Sequence, residues 1–220
     1  CFELDRFTSY MACLLLATLC QENVALIVAA FGIYAAVQGR RNRWCWVPIS
    51  FGLLYFALSV GVVMPQLNQD RIQFMRLYSH LGTTFGEWII TFLHKPGMVF
   101  ACMLQPEKLA FLNAIIAPVG YLSLADPVSL IPAVPVLLQR LLSARISETS
   151  IAYHYQAEFI PFVFVAAIAG LDRVRRLPYR SVRVAWLTAV AVLPILSVAF
   201  SGSLPALARA LNPDTSARRD

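Results

Sequence analysis

Apolar runs of helical length alternate with short polar breaks along almost the whole chain, a pattern that predicts a series of membrane-sized helices. The first block runs from Phe7 to Val37 and is interrupted by Gln21-Glu22-Asn23. A single helix there would carry a carboxylate near its middle, at considerable cost in lipid. Two helices, about 7–20 and 24–38, meeting at a polar turn are expected instead. Gly39-Arg40-Arg41-Asn42-Arg43 closes the block, Trp44 and Trp46 follow at an interfacial position, and 47–67 is a further uncharged span. Residues 68–105 mix Asp70, Arg71, Arg76, Glu87 and Lys95 with large apolar side chains. That segment is too polar to span and too apolar for a free loop, so short interfacial helices are expected. Thr84-Phe85-Gly86-Glu87 has the capping-box pattern that starts one of them, and Pro96-Gly97 ends it.

Pro106-Glu107-Lys108 opens the next span, 107–125, with Pro118 and Gly120 as kink points. Asp126-Pro127 repeats the start signal, with Asp126 as N-cap. The run 128–142 holds Pro132 and Pro135, which release backbone carbonyls, so it is either a kinked span or a re-entrant element. A polar loop over 139–150 leads into Ile151–Pro161, a stretch rich in tyrosine and polar groups. Two spans follow, 158–171 and 184–200, separated by Asp172-Arg173-Val174-Arg175-Arg176 and Leu177-Pro178-Tyr179. The expected fold class is all-α: a polytopic transmembrane helix bundle over 1–201 with short interfacial helices on the outer face. Residues 202–220 form a tail or connector.

Composition agrees with this pattern. Hydrophobic residues make up 59% of the 220 residues and charged ones 14%, against about 25% charged in soluble domains. The net charge of +6 is concentrated in two short loops, Arg40–Arg43 and Arg173–Arg183. Basic clusters beside apolar spans follow the positive-inside rule, so both loops are expected in the cytoplasm and nucleic-acid binding is not indicated. Alternating the spans from there puts Glu22, His80, His94, His154 and Glu158 on one outer face. The five cysteines form no CxxC and no zinc-type spacing, and carry no expected chemistry. The chain opens at Cys1 with no basic segment before the first apolar run, so no signal peptide is read and part of a longer protein is expected.

His154 and Glu158 are four apart and would share one face of an α-helix, with Tyr153 and Tyr155 beside them. A carboxylate next to an imidazole can hold a divalent metal, orient the histidine as a base, or bind a sugar hydroxyl. The plainer alternative is a satisfied interfacial anchor. Glu22 interrupts an apolar block, His80 sits on an interfacial element, and Arg71 and Arg76 can pair with a lipid phosphate. No glycine-rich phosphate loop, HExxH or GxSxG is present, and no soluble nucleotide cofactor is indicated.

Several stretches, taken in order, carry a resemblance. They are Gln21-Glu22-Asn23, Tyr78-Ser79-His80-Leu81-Gly82, Pro118-Val119-Gly120-Tyr121-Leu122-Ser123-Leu124-Ala125-Asp126-Pro127, Ile131-Pro132-Ala133-Val134-Pro135 and Tyr153-His154-Tyr155. Together they resemble the bacterial polytopic membrane proteins catalogued as domain of unknown function 2079. That family is itself similar to the glycosyltransferase C superfamily. The resemblance implies an enzyme of the bacterial inner membrane that takes a sugar from a polyprenyl-phosphate donor on the outer face, in contact with membrane lipid. Glu22, His80, Tyr153, His154, Tyr155 and Glu158 would then line a substrate cavity, with Arg71 and Arg76 at the phosphate. The acidic base characteristic of that superfamily is expected upstream of this chain, so no catalytic role falls on any residue here. A transporter or lipid flippase is the second reading, and a noncatalytic membrane scaffold the third.

Overall fold

Small residues set how closely the central helices pack. The computed structural model describes residues 2–67, 77–149 and 154–200, and no strand occurs among the described residues. The first three helices are α1 (Phe7–Thr18), α2 (Val24–Val37) and α3 (Asn42–Leu58). A π-helical turn, Ser59–Val63, continues α3 to Leu67. Next come α4 (Phe85–His94), α5 (Pro96–Met103) and α6 (Pro106–Ile116). Three 3₁₀ segments follow, Ala117–Val119, Leu122–Ala125 and Pro127–Ala133, and the last runs directly into α7 (Val134–Leu142). Further 3₁₀ turns at Ile146–Thr149 and His154–Glu158 lead to α8 (Ile160–Arg175) and α9 (Arg180–Phe200).

Helix α2 occupies the centre. Its Ala25, Ile27, Val28, Ala29, Ala30, Gly32 and Ala35 are all buried, as expected of a helix that is apolar on every side. Helix α3 lies directly against it. A Cβ on Gly32 would fall 2.3 Å from the Cys45 carbonyl oxygen, and one on Gly52 would fall 2.4 Å from that of Ala25. Glycine on both partners lets the backbones approach closely, the usual source of helix adhesion in lipid. On its other side α2 meets Pro127–Leu142, and that segment in turn packs on α8. The expected break at Gln21-Glu22-Asn23 is present as the turn between α1 and α2.

Several sequence expectations are corrected by tertiary structure. Trp44 is no belt residue: it is fully buried, with Phe2, Phe7 and Tyr10 packed around its ring. Trp46 stays exposed. The span expected over 107–125 leaves the α-helix at Ile116. Pro118 lies in the 3₁₀ turn that follows, and Gly120 and Tyr121 both adopt left-handed backbone angles, φ 59° and 57°. The α-helix therefore ends there instead of continuing through a kink. Asp126 does not cap the backbone; its carboxylate accepts from Ser129 Oγ at 2.5 Å and pairs with Arg173 at 2.6 Å. The presumed polar loop 139–150 begins inside α7 and holds buried Arg140, Ser143 and Glu148. Helix α8 runs through the arginine cluster to Arg175 instead of stopping before it.

Among the described residues one helix, Asn42–Gln66, is long and apolar enough by itself to cross a membrane. Helix α5 together with Pro106–Val119 passes the same test as a pair bent by 54°. Residues 7–18, 24–37 and 127–142 are shorter apolar helices. The last of these reaches further than its length suggests. Seven of its residues are 3₁₀, which rises about 2.0 Å per residue against about 1.5 Å for α. Its two parts together cover about 27 Å, close to the hydrocarbon thickness of about 30 Å. Pro132 lies in the 3₁₀ part, and Pro135 sits in the first turn of α7, where its missing N–H costs nothing.

Candidate functional site

Pro127–Leu142 and α8 run antiparallel and are tied at both ends. Arg173 meets Asp126 at one end, and Arg140 meets Glu158 at 3.1 Å at the other. Arg140 also reaches Glu148 at 3.3 Å, and its guanidinium lies 5.1 Å from the centre of the Tyr155 ring. Only 6% of the Arg140 side chain is exposed, with 5% of Glu148 and 10% of Glu158. One arginine thus serves two buried carboxylates and an aromatic face, an arrangement suited to its planar fork.

The local backbone explains why Tyr155 takes part. Residues 154–158 form a 3₁₀ turn, not an α-helix, and 3₁₀ geometry has three residues per turn, so positions three apart eclipse. Tyr155 and Glu158 therefore share a face toward Arg140. Glu158 lies in this turn ahead of α8. Burial raises its carboxyl above the usual range, Arg140 pulls it down, and the nearby charges of Glu22 and Glu148 add to the upward push. Tyr78 joins the same end: its hydroxyl donates to the Gln139 carbonyl at 3.4 Å. Burial and then Glu148 push that hydroxyl up to about 12, with Arg140 opposing, so it stays a donor at neutral pH.

A cleft adjoins the cluster where α6 begins. Lys108 is its hub, buried to 5% exposure, with Nζ donating to the Leu141 carbonyl at 2.5 Å and to Cys102 Sγ at 3.2 Å. Two lobes open beside it. One, of about 470 Å³, is lined by His80, Met98, Ala101, Cys102, Gln105 and Ser143. The other, of about 440 Å³, holds Glu107, Arg145 and Thr149. Both volumes fall in the range of small-molecule sites, about 300–1,000 Å³.

Of the residues expected from sequence, the structure brings together Glu22, Tyr155 and Glu158. It places His80 in the neighbouring cleft, 3.4 Å from Cys102 Sγ. Tyr153, Arg71, Arg76 and the His154 side chain lie outside the described residues. Among the described residues no group of His, Cys, Asp or Glu converges as a metal site. The sequence reading passed over Arg140, Glu148 and Lys108. Arg140 is the cation inside an otherwise uncharged helix, Val134–Leu142, and a charge in such a run is a functional signal in lipid.

Burial first, and then the Lys108 charge, lower the His80 imidazole below its usual range. Charging it is therefore harder in the folded chain than in the unfolded one, so its contribution to stability is complete at neutral pH and declines as pH falls below about 6.5. Thermal scans between pH 7.5 and 5 should show a modest acid-side loss that His80→Gln removes. An identical acid-side slope in the variant would exclude His80 as its source.

Among the described residues the chain is all-helical, apolar on its outside as well as within, with ion pairs confined to the ends of its helices and the turns beside them, and it is built as a membrane protein. The chain belongs to the family described as Predicted membrane protein (DUF2079), which matches residues 4–216. No curated protein and no solved structure matches it.

Proposed function

We propose that this chain is part of a multi-pass enzyme of the glycosyltransferase C kind, moving a sugar from a polyprenyl-phosphate donor on the outer face of the bacterial inner membrane. The observation that carries the reading is the gathering of polar groups at one end of the helices. Glu22, Tyr155, Glu158, Arg140 and Glu148 cluster there, and a cleft of small-molecule size opens beside them. In the proposed orientation Arg40–Arg43 and Arg173–Arg183 face the cytoplasm, and this end faces outward. The carboxylates would take sugar hydroxyls, and Tyr155 would offer a ring face to the sugar. His154 would contribute at the mouth of α8, and the transferring base would come from the upstream part of the protein. Arg71 and Arg76 remain candidates for the donor phosphate.

A transporter ranks second. A broken helix at the site would favour it, whereas Pro127–Leu142 is continuous from its 3₁₀ half into its α half.

The test is sugar transfer by the full-length protein in liposomes supplied with a polyprenyl-phosphate-linked sugar. His154→Ala and Glu158→Gln should each lower transfer by about 100-fold or more at unchanged expression. Transfer at the wild-type rate in both variants would sink the assignment of this end as the site.

A further inference from the structure

Lys108 presents an energetic anomaly. Its ammonium is nearly fully buried, yet among the described residues no carboxylate lies within ion-pair reach of it. Its two contacts are a neutral carbonyl and a thiol, while an ammonium has three donors to place. A buried charge without a counter-ion is strongly destabilising, and a chain under no other demand would carry an apolar residue there. The charge is therefore kept for something that arrives.

We propose that the lobe between Lys108 and His80 binds the phosphate of an anionic ligand. Among the described residues the lobe lining holds no carboxylate: His80, Cys102, Gln105, Ser143, Met98 and Ala101 surround it. The adjoining lobe contains both Glu107 and Arg145 and is balanced within itself. Four side chains around the first lobe offer hydrogens, namely the Lys108 ammonium, the His80 ring, the Gln105 amide and the Ser143 hydroxyl. That number of donors from different directions suits a tetrahedral anion with several oxygens better than a planar carboxylate. The start of α6 adds to this, because Gln105 precedes the helix without a side-chain cap, and helix N-termini favour phosphate. Met98 and Ala101 are exposed along the rim, so the lobe has an apolar approach. A phosphate settling beside Lys108 would also offset the Lys108 charge, which after burial holds the His80 imidazole below its usual range.

This inference deepens the reading above and rests on it only for the lipid part of the ligand. A polyprenyl phosphate and a free phosphate present the same chemistry, and the experiment separates them. Full-length protein in detergent is titrated with inorganic phosphate, polyprenyl monophosphate and neutral polyprenol, read by native mass spectrometry and thermal shift. Polyprenyl phosphate should bind about tenfold or more tighter than polyprenol, and Lys108→Met should remove that difference. The same variant, without ligand, should melt no lower than wild type, since it discards an uncompensated charge. Ala101→Trp, which fills the lobe from an exposed position, should block binding equally. Inorganic phosphate binding that Lys108→Met abolishes, with no added affinity for the lipid form, keeps the site and identifies its ligand as free phosphate. Equal affinity for polyprenol and polyprenyl phosphate with no response to inorganic phosphate overturns the proposal, as does unchanged phosphate binding in Lys108→Met. Absent sugar transfer with Lys108-dependent phosphate binding intact would sink the enzyme reading alone.

Discussion

Arg140→Met should cost about 3–5 kcal/mol of stability, the range for removing one partner of a buried ion network. For a chain of this size that is a fall in melting temperature of about 10 °C. The reason lies in what the variant leaves behind. Glu148 and Glu158 are nearly as buried as Arg140 itself, and both point at the space the guanidinium vacates. Two carboxylates would then face each other in a low-dielectric pocket, with the charge of Glu22 near enough to push Glu158 further. Arg140→Lys should recover only part of the loss, because a single ammonium cannot span both acids and lie over the Tyr155 ring. The triple variant Arg140→Met, Glu148→Gln, Glu158→Gln should recover most of it, since neutral amides need no counter-ion. Melting curves of the four proteins, purified in one detergent, decide the matter. A single Arg140→Met that melts with wild type would show that the network contributes nothing.

Gly170→Ala is the second large effect expected. A Cβ there would lie 2.0 Å from the Leu122 carbonyl oxygen and 3.0 Å from its carbon. Both are backbone atoms, held in a 3₁₀ turn that packs along α8, so no rotamer change relieves the clash. Helix α8 must shift away from Leu122–Ala125, and Arg173, three residues further on, shifts with it away from Asp126. Overpacking of this kind costs about 1–3 kcal/mol, and separating the ion pair adds to it. Gly97→Ala provides the contrast. Nothing lies within 4 Å of that position and it sits inside α5, so the helix gains up to about 1 kcal/mol from the added methyl. If Gly170→Ala and Gly97→Ala melt alike, the close approach of α8 to Leu122–Ala125 is not a tight one.

The parts of the fold legible in the sequence are those set by local chemistry. The polar interruption at Gln21-Glu22-Asn23 separates α1 from α2. Pro106 starts α6, and Thr84 caps α4 by accepting from the Glu87 amide at 3.2 Å. What local signals did not carry was the choice between α and 3₁₀ at Pro127–Ala133 and His154–Glu158. That choice follows from packing: Pro127–Leu142 is wedged between α2 and α8, and the proline positions tolerate either pitch. The site was half legible for the same reason. Glu22, Tyr155 and Glu158 announce themselves as polar groups at the edges of apolar runs. Arg140 and Glu148 looked like members of a solvated loop, because the fold that buries them brings together segments far apart in sequence, such as Tyr78 and Gln139, 61 residues apart. Lys108 looked like an ordinary first-turn residue, and only its burial beside Leu141 reveals it as a charge with no carboxylate counter-ion among the described residues.

The Arg140 cluster has a consequence for how the chain enters the membrane. In the proposed orientation Arg140 must be carried outward, against the bias that retains cations in the cytoplasm. Its two acids follow it in the same short outer segment, at Glu148 and Glu158. With Arg145 between them, the passenger that crosses is a package of two positive and two negative charges, and its zero net charge is not opposed by an energised membrane, positive outside. Arg173, whose acid Asp126 waits on the retained side, never has to make the journey. The same pairs that tie Pro127–Leu142 to α8 would thus also fix which way round the two were threaded.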